Sequence, residues 1–471
     1  MTDRRRPPSL WIMTALAGVL PRPFVAPRPP PTEAWILAGV LDGRDAQPAL
    51  LDALAGIPYA LRLACDLALA GATRIVVVWH GKAAAPDLGA IARDPRLASR
   101  ATLEIVREVP AGDHSDAILV ARADRVYHRD IPVRVAAAWQ RSTLRLAKIS
   151  GEEHDAIVAT DRRTARVLAA RAAVQGGLAA ELARLSVVRE IAGAEPPYLG
   201  FTVAVPDRRA HGAAERRLVW SLRKSADGIA AKLVNRHLSL PVSWLLSRTR
   251  IHPNHVTLIA LACALAGALV ISRGGYTAGV AGMLLVELGS IIDGIDGELA
   301  RLRFQFSRGG QWLDTVVDDV STLGYAVGVT ANLSAAGVTW AVPICSAAVL
   351  AFAMTQSTQY ALIRVVYRSG DLAAIPWAFQ SSEFLSRRST GVLAWARLTA
   401  PKLFKRDFVV TLCFGFALLG HLELILASFA GGAAVFFVVF WTQAVRNRAA
   451  IAADHRRAQL TAAATARPRA A

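Results

Sequence analysis

Residues Asp293–Asp318 read DGIDGELARLRFQFSRGGQWLDTVVD, and apolar runs long enough to cross a bilayer flank them on both sides. Ionisable groups beside such runs are costly, and by default they point to function. Asp293 and Asp296 lie three apart and Asp314 and Asp318 four apart, so each pair shares one helix face. A short loop between the two helices lets the acidic faces meet. Four clustered carboxylates repel one another unless cations neutralise them. Hard oxygen ligands suit magnesium, manganese or calcium rather than zinc, and a pair of such ions can clamp a diphosphate. The small residues agree with this. Gly297 follows Asp296 and Gly309–Gly310 open the next helix, where a side chain would block a close approach. Arg301 is within reach of the same face and could hold a phosphate in a bidentate fork.

The rest of the chain sorts around this stretch. Its 471 residues suffice for two or three domains, and 54% of them are hydrophobic. Up to about Val219 the apolar residues alternate with polar ones; beyond Val256 they gather into long runs. The expected fold is therefore two-part, a soluble N-terminal α/β domain joined to an integral membrane half. The net charge of +18 would fit nucleic acid, but the basic residues sit in loops between apolar runs, the pattern of cytoplasmic loops beside anionic lipid. Anionic membrane lipid is the expected partner and nucleic acid is not. Cys65, Cys263, Cys345 and Cys413 are scattered, with no disulfide framework or metal-binding pair, which fits a reducing compartment.

Residues 1–32 open like a signal peptide, but a proline-rich segment stands in place of a cleavage site, and the reading is a disordered leader. Over 33–215, AWILAGV is a candidate first strand and IPYALRLACDLALAGA a helix closed by Gly71. TRIVVVWHG, ATLEIVREV, AILVARAD, LSVVREI and LGFTVAVP are further strand candidates. Alternating strands and helices predict a mostly parallel sheet. This segment resembles the nucleotidyltransferases that activate sugars and alcohols with CTP or other nucleotides, which implies a Rossmann-like fold. The likeness lies in LAG after the first strand, in LAGIPYALRLACDLALAGATRIVVV, and in Asp124 at the end of AILVARAD. By that resemblance Asp124 would bind magnesium, although a strand-end Asp is also a common turn residue. The loop LAGVLDGRDAQP lacks the tight glycine pair, and Gln47 stands where a phosphate-binding Lys is expected, with Arg44 a partial substitute. The domain is read as degenerate.

Residues 224–252 are basic and amphipathic, with Lys232, Arg236 and Arg248 among their cations. They are expected to lie along the membrane surface with those cations near lipid phosphates. Six spans follow within 253–446, at about 255–273, 275–293, 312–332, 338–360, 407–424 and 426–445. A basic cytoplasmic tail occupies 447–471. The Lys and Arg distribution places both termini and the loops carrying the arginines on the cytoplasmic side of an inner membrane.

Asp293-x-x-Asp296-Gly297-x-x-Ala300-Arg301, eight residues, then Gly310-x-x-x-Asp314-x-x-x-Asp318 resembles the signature of the CDP-alcohol phosphotransferases at every position. The likeness covers roughly Lys224 to Arg446. It implies a six-helix transmembrane bundle in which the four aspartates hold two divalent cations, magnesium or manganese. Asp318 would deprotonate a hydroxyl acceptor that attacks the β-phosphate of a CDP-alcohol donor and expels CMP. Gly297, Ala300, Arg301 and Gly310 would bind the cytidine diphosphate. Asn254 and Thr257 of PNHVT would line the nucleotide pocket, or else Asn254 is simply a helix N-cap. Asp319 is expected to point away from the metals, and Glu287 to support them or face another helix. The front domain, with Lys224, Asp227, Gly228, Asn235, Arg236 and Ser239, resembles the bifunctional inositol-1-phosphate cytidylyltransferase/di-myo-inositol phosphate synthases. The acceptor would then be a polyol phosphate; a lipid-type reaction on CDP-diacylglycerol remains the other reading. Family resemblance implies a homodimer. A cation transporter or an inactive scaffold are competing readings, which the fixed Ala300, Arg301 and Gly310 offsets disfavour.

Overall fold

A computed structural model describes residues 30–41, 44–46, 50–110, 117–140, 146–149, 157–184, 188–191, 202–204, 208–223, 234–367, 372, 375 and 405–446. The leader, Gln47, the tail and most of the loop between the fourth and fifth predicted spans lie outside the described residues. The chain divides into two compact units, residues 1–54 with 58–214, and residues 55–57 with 215–471.

In the first unit the strands are β1 (Glu33–Leu41), β2 (Arg44–Ala46), β3 (Ala53–Leu54), β4 (Ile57–Pro58), β5 (Arg74–Trp79), β6 (Thr102–Val106) and β7 (Ala117–Arg122). They continue with β8 (Arg125–Tyr127), β9 (Leu146–Ile149), β10 (Ile157–Asp161), β11 (Val188–Ile191) and β12 (Thr202–Ala204). The main sheet runs β11-β9-β10-β7-β1-β5-β6, with β2 paired to β1. Four consecutive strands, β7, β1, β5 and β6, are parallel, as the alternation predicts. The sense reverses at β10, antiparallel to both β7 and β9. The predicted strand LGFTVAVP is not in this sheet: β12 pairs with β8 instead. Helices α1 (Tyr59–Leu69), α2 (Gly89–Ala92), α3 (Pro95–Ala98), α4 (Asp130–Gln140), α5 (Arg162–Ala172), α6 (Gly177–Arg184) and α7 (Arg208–Trp220) complete the series up to residue 220. Gly39 shows why this sheet needs glycine at the end of β1. Its φ is +92°, and a Cβ there would stand 2.3 Å from the Gly81 nitrogen.

Asp66 on α1 is 2% exposed, and burial pushes its carboxyl up to about 7, with Arg62 one turn earlier pulling the other way. A raised carboxyl pKa means that the folded state holds a proton the unfolded chain releases from about pH 4 upward. Stability therefore falls as pH rises from about 4 to about 7, and is flat above. Asp66→Asn should remove this slope and make α1 more stable at pH 8. Hydrogen exchange of α1 peptides in the full chain, corrected for intrinsic rates, measures it; an unchanged slope in the variant would refute the assignment.

The second unit is helical: α8 (Arg236–Ser247), α9 (Pro253–Ile271), α10 (Tyr276–Arg303), α11 (Arg308–Ala335), α12 (Ala341–Leu362), α13 (Arg406–Leu418) and α14 (Leu422–Arg446). Among the described residues, four helical segments are long and apolar enough to cross a membrane: Pro253–Ile271, Tyr276–Arg303, Ala341–Tyr367 and Leu422–Arg446. Of the other two predicted spans, α11 carries Asp314, Asp318 and Asp319, and α13 has 13 residues. The second helix runs ten residues beyond its predicted end at 293, so Asp293 and Asp296 sit inside a continuous helix. Phe304 ends it in the left-handed conformation, φ 56°, and the Ser307 hydroxyl caps α11 by accepting from the Gly310 amide.

Glycines set how closely α9, α10 and α11 approach. A Cβ on Gly267 would lie 2.6 Å from the Gly282 carbonyl oxygen, and one on Gly328 would lie 2.5 Å from the Ala268 oxygen. The apolar core above the acidic stretch includes Ile271, Met283, Tyr325, Val329, Ile425 and Leu426.

Helix α8 corrects one expectation. Its buried side carries Ser239, Ser243 and Ser247, while Leu238, Val242 and Leu245 are exposed. The serine side is the docked side, with Leu240 buried beside it, and Leu238, Val242 and Leu245 are left outward, an arrangement that suits contact with lipid. Of its predicted lipid-facing cations, Lys232 lies outside the described residues, and Arg236 and Arg248 are engaged within the protein. Arg236 pairs with Glu298 of α10. Arg248 donates to Glu215 at 2.7 Å and lies 4.1 Å from the Trp244 ring centroid. Arg303, also on α10, secures the other end of α8 by donating to the carbonyls of Leu246, Ser247, Thr249 and Ile251.

Candidate active site

Helix α10 presents Asp293 and Asp296 one turn apart, and α11 starts close enough after its predecessor to bring in Asp314. One carboxylate oxygen from each of Asp293, Asp296 and Asp314 lies within 4.8 Å of the others. Thr257 of α9 donates its hydroxyl to Asp296 Oδ2, fixing that carboxylate from a third helix. Asp318 belongs to the same site but is joined to it through Arg406, the first residue of α13. The Arg406 guanidinium donates to Asp293 at 3.1 Å and also to Asp318. The expected four-carboxylate meeting is thus a triad plus an Arg-bridged fourth member. An all-oxygen triad with this spacing fits a hard divalent cation, which Asp293, Asp296 and Asp314 would hold.

Around the triad the small residues leave room. A Cβ on Gly310 would meet Ser307 Oγ at 3.0 Å and Asn254 Oδ1 at 3.2 Å, so Asn254 and Gly310 face one another. The Arg301 guanidinium lies over Gly297, 3.3 Å from where a Cβ would be. Asn254 is not the N-cap of α9: His252 is, its Nδ1 accepting from the Asn254 amide at 3.3 Å. Ala300 contributes through its backbone, its carbonyl accepting from the Phe304 and Gln305 amides that end α10.

The neighbours outside the signature sort as follows. Asp319 turns to α12, accepting from Gln356 Nε2 at 2.7 Å and from the Tyr360 hydroxyl, away from the triad. Glu287 faces α13, accepting from Thr411 Oγ1 at 2.8 Å. In the first unit, Asp124 stands just past the C-terminal end of β7, next to the point where neighbouring β1 and β7 diverge in chain order, the usual ligand crevice of such sheets. Both its oxygens are held by Arg122, at 2.9 and 2.7 Å.

A cavity opens on the α8 and α13 side of the acidic cluster, lined by Asn235, Arg236, Ser290, Gly294, Asp318 and Lys405 among others. Sequence reading had missed Arg406, Glu298, Ser243 and Ser247 as neighbours of this site, and had singled out Asn235, Arg236 and Ser239 only by their likeness to the bifunctional synthases. Arg406 looked like one more loop cation, and Glu298 falls on a variable position between Gly297 and Ala300. For Ser243 and Ser247 the available signal was Ser239-x-x-x-Ser243-x-x-x-Ser247, a polar stripe at helical spacing.

Residues 250–439 match the model of the CDP-alcohol phosphatidyltransferase family. Similar curated proteins are named bifunctional IPC transferase and DIPP synthase. That of Thermococcus kodakarensis is 35% identical over 106 residues, 22% of this chain and 23% of the relative. That of Aquifex aeolicus is 31% identical over 98 residues, 21% of this chain and 22% of the relative. That of Rubrobacter xylanophilus is 35% identical over 114 residues, 23% of this chain and 26% of the relative. The matches span about a quarter of the length of these curated relatives.

Proposed function

Since residues 250–439 form a CDP-alcohol phosphatidyltransferase domain, we propose that the chain transfers a substituted phosphate from a CDP-alcohol to a hydroxyl acceptor with release of CMP. The observation that carries this reading is the carboxylate triad of Asp293, Asp296 and Asp314, with Asp318 across Arg406. Two divalent cations, magnesium or manganese, would be held by the four aspartates and would offset the charge of the diphosphate. Thr257 orients Asp296. Gly297 and Gly310, with Asn254 and Arg301 beside them, leave the space in which the cytidine diphosphate fits. Asp318 takes the proton of the acceptor hydroxyl, whose oxygen bonds to the β-phosphorus as the bond to the CMP oxygen breaks. Arg406 holds Asp318 in place for that step. Six membrane-crossing helices, with the site on the cytoplasmic side of an inner membrane and a homodimeric assembly, complete the reading.

The N-terminal unit is proposed to be a Rossmann-like nucleotidyltransferase relative that no longer activates an alcohol. The engagement of both Asp124 oxygens by Arg122 supports this, as does the loop without the usual glycine pair.

The test uses the full chain in lipid with magnesium or manganese. CMP release is followed from CDP-diacylglycerol and CDP-inositol, each with inositol phosphate and glycerol phosphate; pyrophosphate release is followed from CTP with inositol phosphate. CMP release that chelation abolishes and metal restores is expected, with no pyrophosphate. No CMP from any pair refutes the transferase, and metal-dependent pyrophosphate restores an active cytidylyltransferase.

A further inference from the structure

Glu287 stands nearly two turns before Asp293 on α10, inside a helix apolar enough to cross a membrane, and it is 6% exposed. A carboxyl buried in such a helix either finds a cation or keeps its proton, because an uncompensated charge there is too costly. No cation meets this one. Among the described residues its electrostatic neighbours are Asp407 and Cys413 of α13, and neither is basic. Oε1 accepts from the Thr411 hydroxyl at 2.8 Å. Oε2 is buried and has no hydrogen-bond partner. One neutral hydrogen bond does not offset a full charge, so Glu287 is the acid, with Oε1 as its carbonyl oxygen and the proton on Oε2.

Its place on the helix supplies an independent observation. Leu284 and Leu288, four apart on α10, are exposed, as is Leu412 beside Thr411 on α13. Glu287 falls three positions after Leu284 and one before Leu288, at the border between this apolar stripe and α13. The stripe suits lipid, so a hydrophobic reagent dissolved in the bilayer arrives next to the carboxyl. What lies across the seam gives the position its consequence. Helix α13 opens with Arg406, five residues before Thr411, and Arg406 donates to Asp293 and to Asp318. The contact of Thr411 with Glu287 therefore ties down the helix that delivers Arg406 to the acidic cluster.

We infer that Glu287 is a modification site for hydrophobic carbodiimides entering from lipid, and that an adduct there parts α13 from α10 and withdraws Arg406 from Asp318. The acid proton passes to one carbodiimide nitrogen as Oε2 bonds to the central carbon, giving an O-acylisourea. The acyl carbon then leaves Oε2 for the second nitrogen, and a stable N-acylurea remains. Every atom is retained and nothing is oxidised or reduced. The test treats the full chain in lipid with dicyclohexylcarbodiimide at neutral pH and locates the adduct by fragmenting the labelled peptide. Glu287 should be labelled in the wild type, and at least fivefold less by a charged, water-soluble carbodiimide. Glu287→Gln keeps the oxygen that accepts from Thr411 and loses the acid, so it should escape labelling. Hydrogen exchange of α13 peptides should rise on treatment of the wild type and stay level in treated Glu287→Gln. Where the transferase reading holds, CMP release should fall at least tenfold in the fully labelled wild type and persist in the treated variant. No adduct at Glu287, or equal labelling by the water-soluble reagent, overturns the lipid-side site. An adduct that leaves α13 exchange unchanged overturns the link to Arg406. If the untreated chain releases no CMP from any donor, labelling and exchange still decide this proposal, and that result sinks the transferase alone.

Discussion

Asp318→Asn is expected to lower metal-dependent CMP release by about a thousandfold or more, with donor KM nearly unchanged. General-base catalysis alone accounts for roughly 10²–10⁴, and Asn is isosteric but cannot take the acceptor proton at neutral pH. The substitution also leaves Arg406 with Asp293 as its remaining partner of the pair it bridges. The control is one residue away. Asp319→Asn removes a carboxylate of the same helix that turns to Gln356 and Tyr360, and it should cost activity only a few-fold. Steady-state kinetics on both variants decides the matter. If Asp318→Asn keeps a tenth of the wild-type rate, or if Asp319→Asn is as damaging, Asp318 is not the base.

Gly282→Val should be the most damaging change to the fold of the helical unit. A Cβ there would lie 2.4 Å from Ile271 Cγ1, 2.5 Å from the Gly267 oxygen and 2.8 Å from the Ile271 nitrogen. Two of those three atoms are backbone, so no side-chain rotation relieves the clash. Helices α9 and α10 would have to separate, and with them Thr257 from Asp296. Overpacking a tight core costs about 1–3 kcal/mol, and about 3 kcal/mol corresponds to a fall of roughly 10 °C in melting temperature for a unit of this size. Gly309→Ala is the comparison, because nothing lies within 4 Å of a Cβ there. Melting followed by size-exclusion in detergent should show a large fall for the first and little for the second. Equal melting temperatures would mean that the close approach of these helices does not limit stability.

Local periodicity carried much of this protein into plain view. Spacings of three and four put Asp293 with Asp296 and Asp314 with Asp318 on single helix faces. Apolar runs placed the helices of the second unit, and Gly71 closed α1 with φ +107° as its position predicted. Strands β2, β3, β4, β8, β9 and β10 were not among the sequence candidates; they have two to five residues each, and runs this short are ambiguous unless the flanking residues mark them. The periodicity of α8 revealed two faces but not which one docks. That was decided by Glu298, some 60 positions away, whose buried charge draws in the serines and Arg236. The same limit hid Arg406, which meets Asp318 across 88 positions. By itself, then, the sequence determined the helices, their acidic faces and the family signature, because these depend on neighbours within a turn or two. Only the tertiary structure decided that three aspartates share one centre, that the fourth stands across an arginine, and that α8 forms one wall. Those outcomes follow from close glycine packing and from buried charges that must find partners wherever the fold brings them.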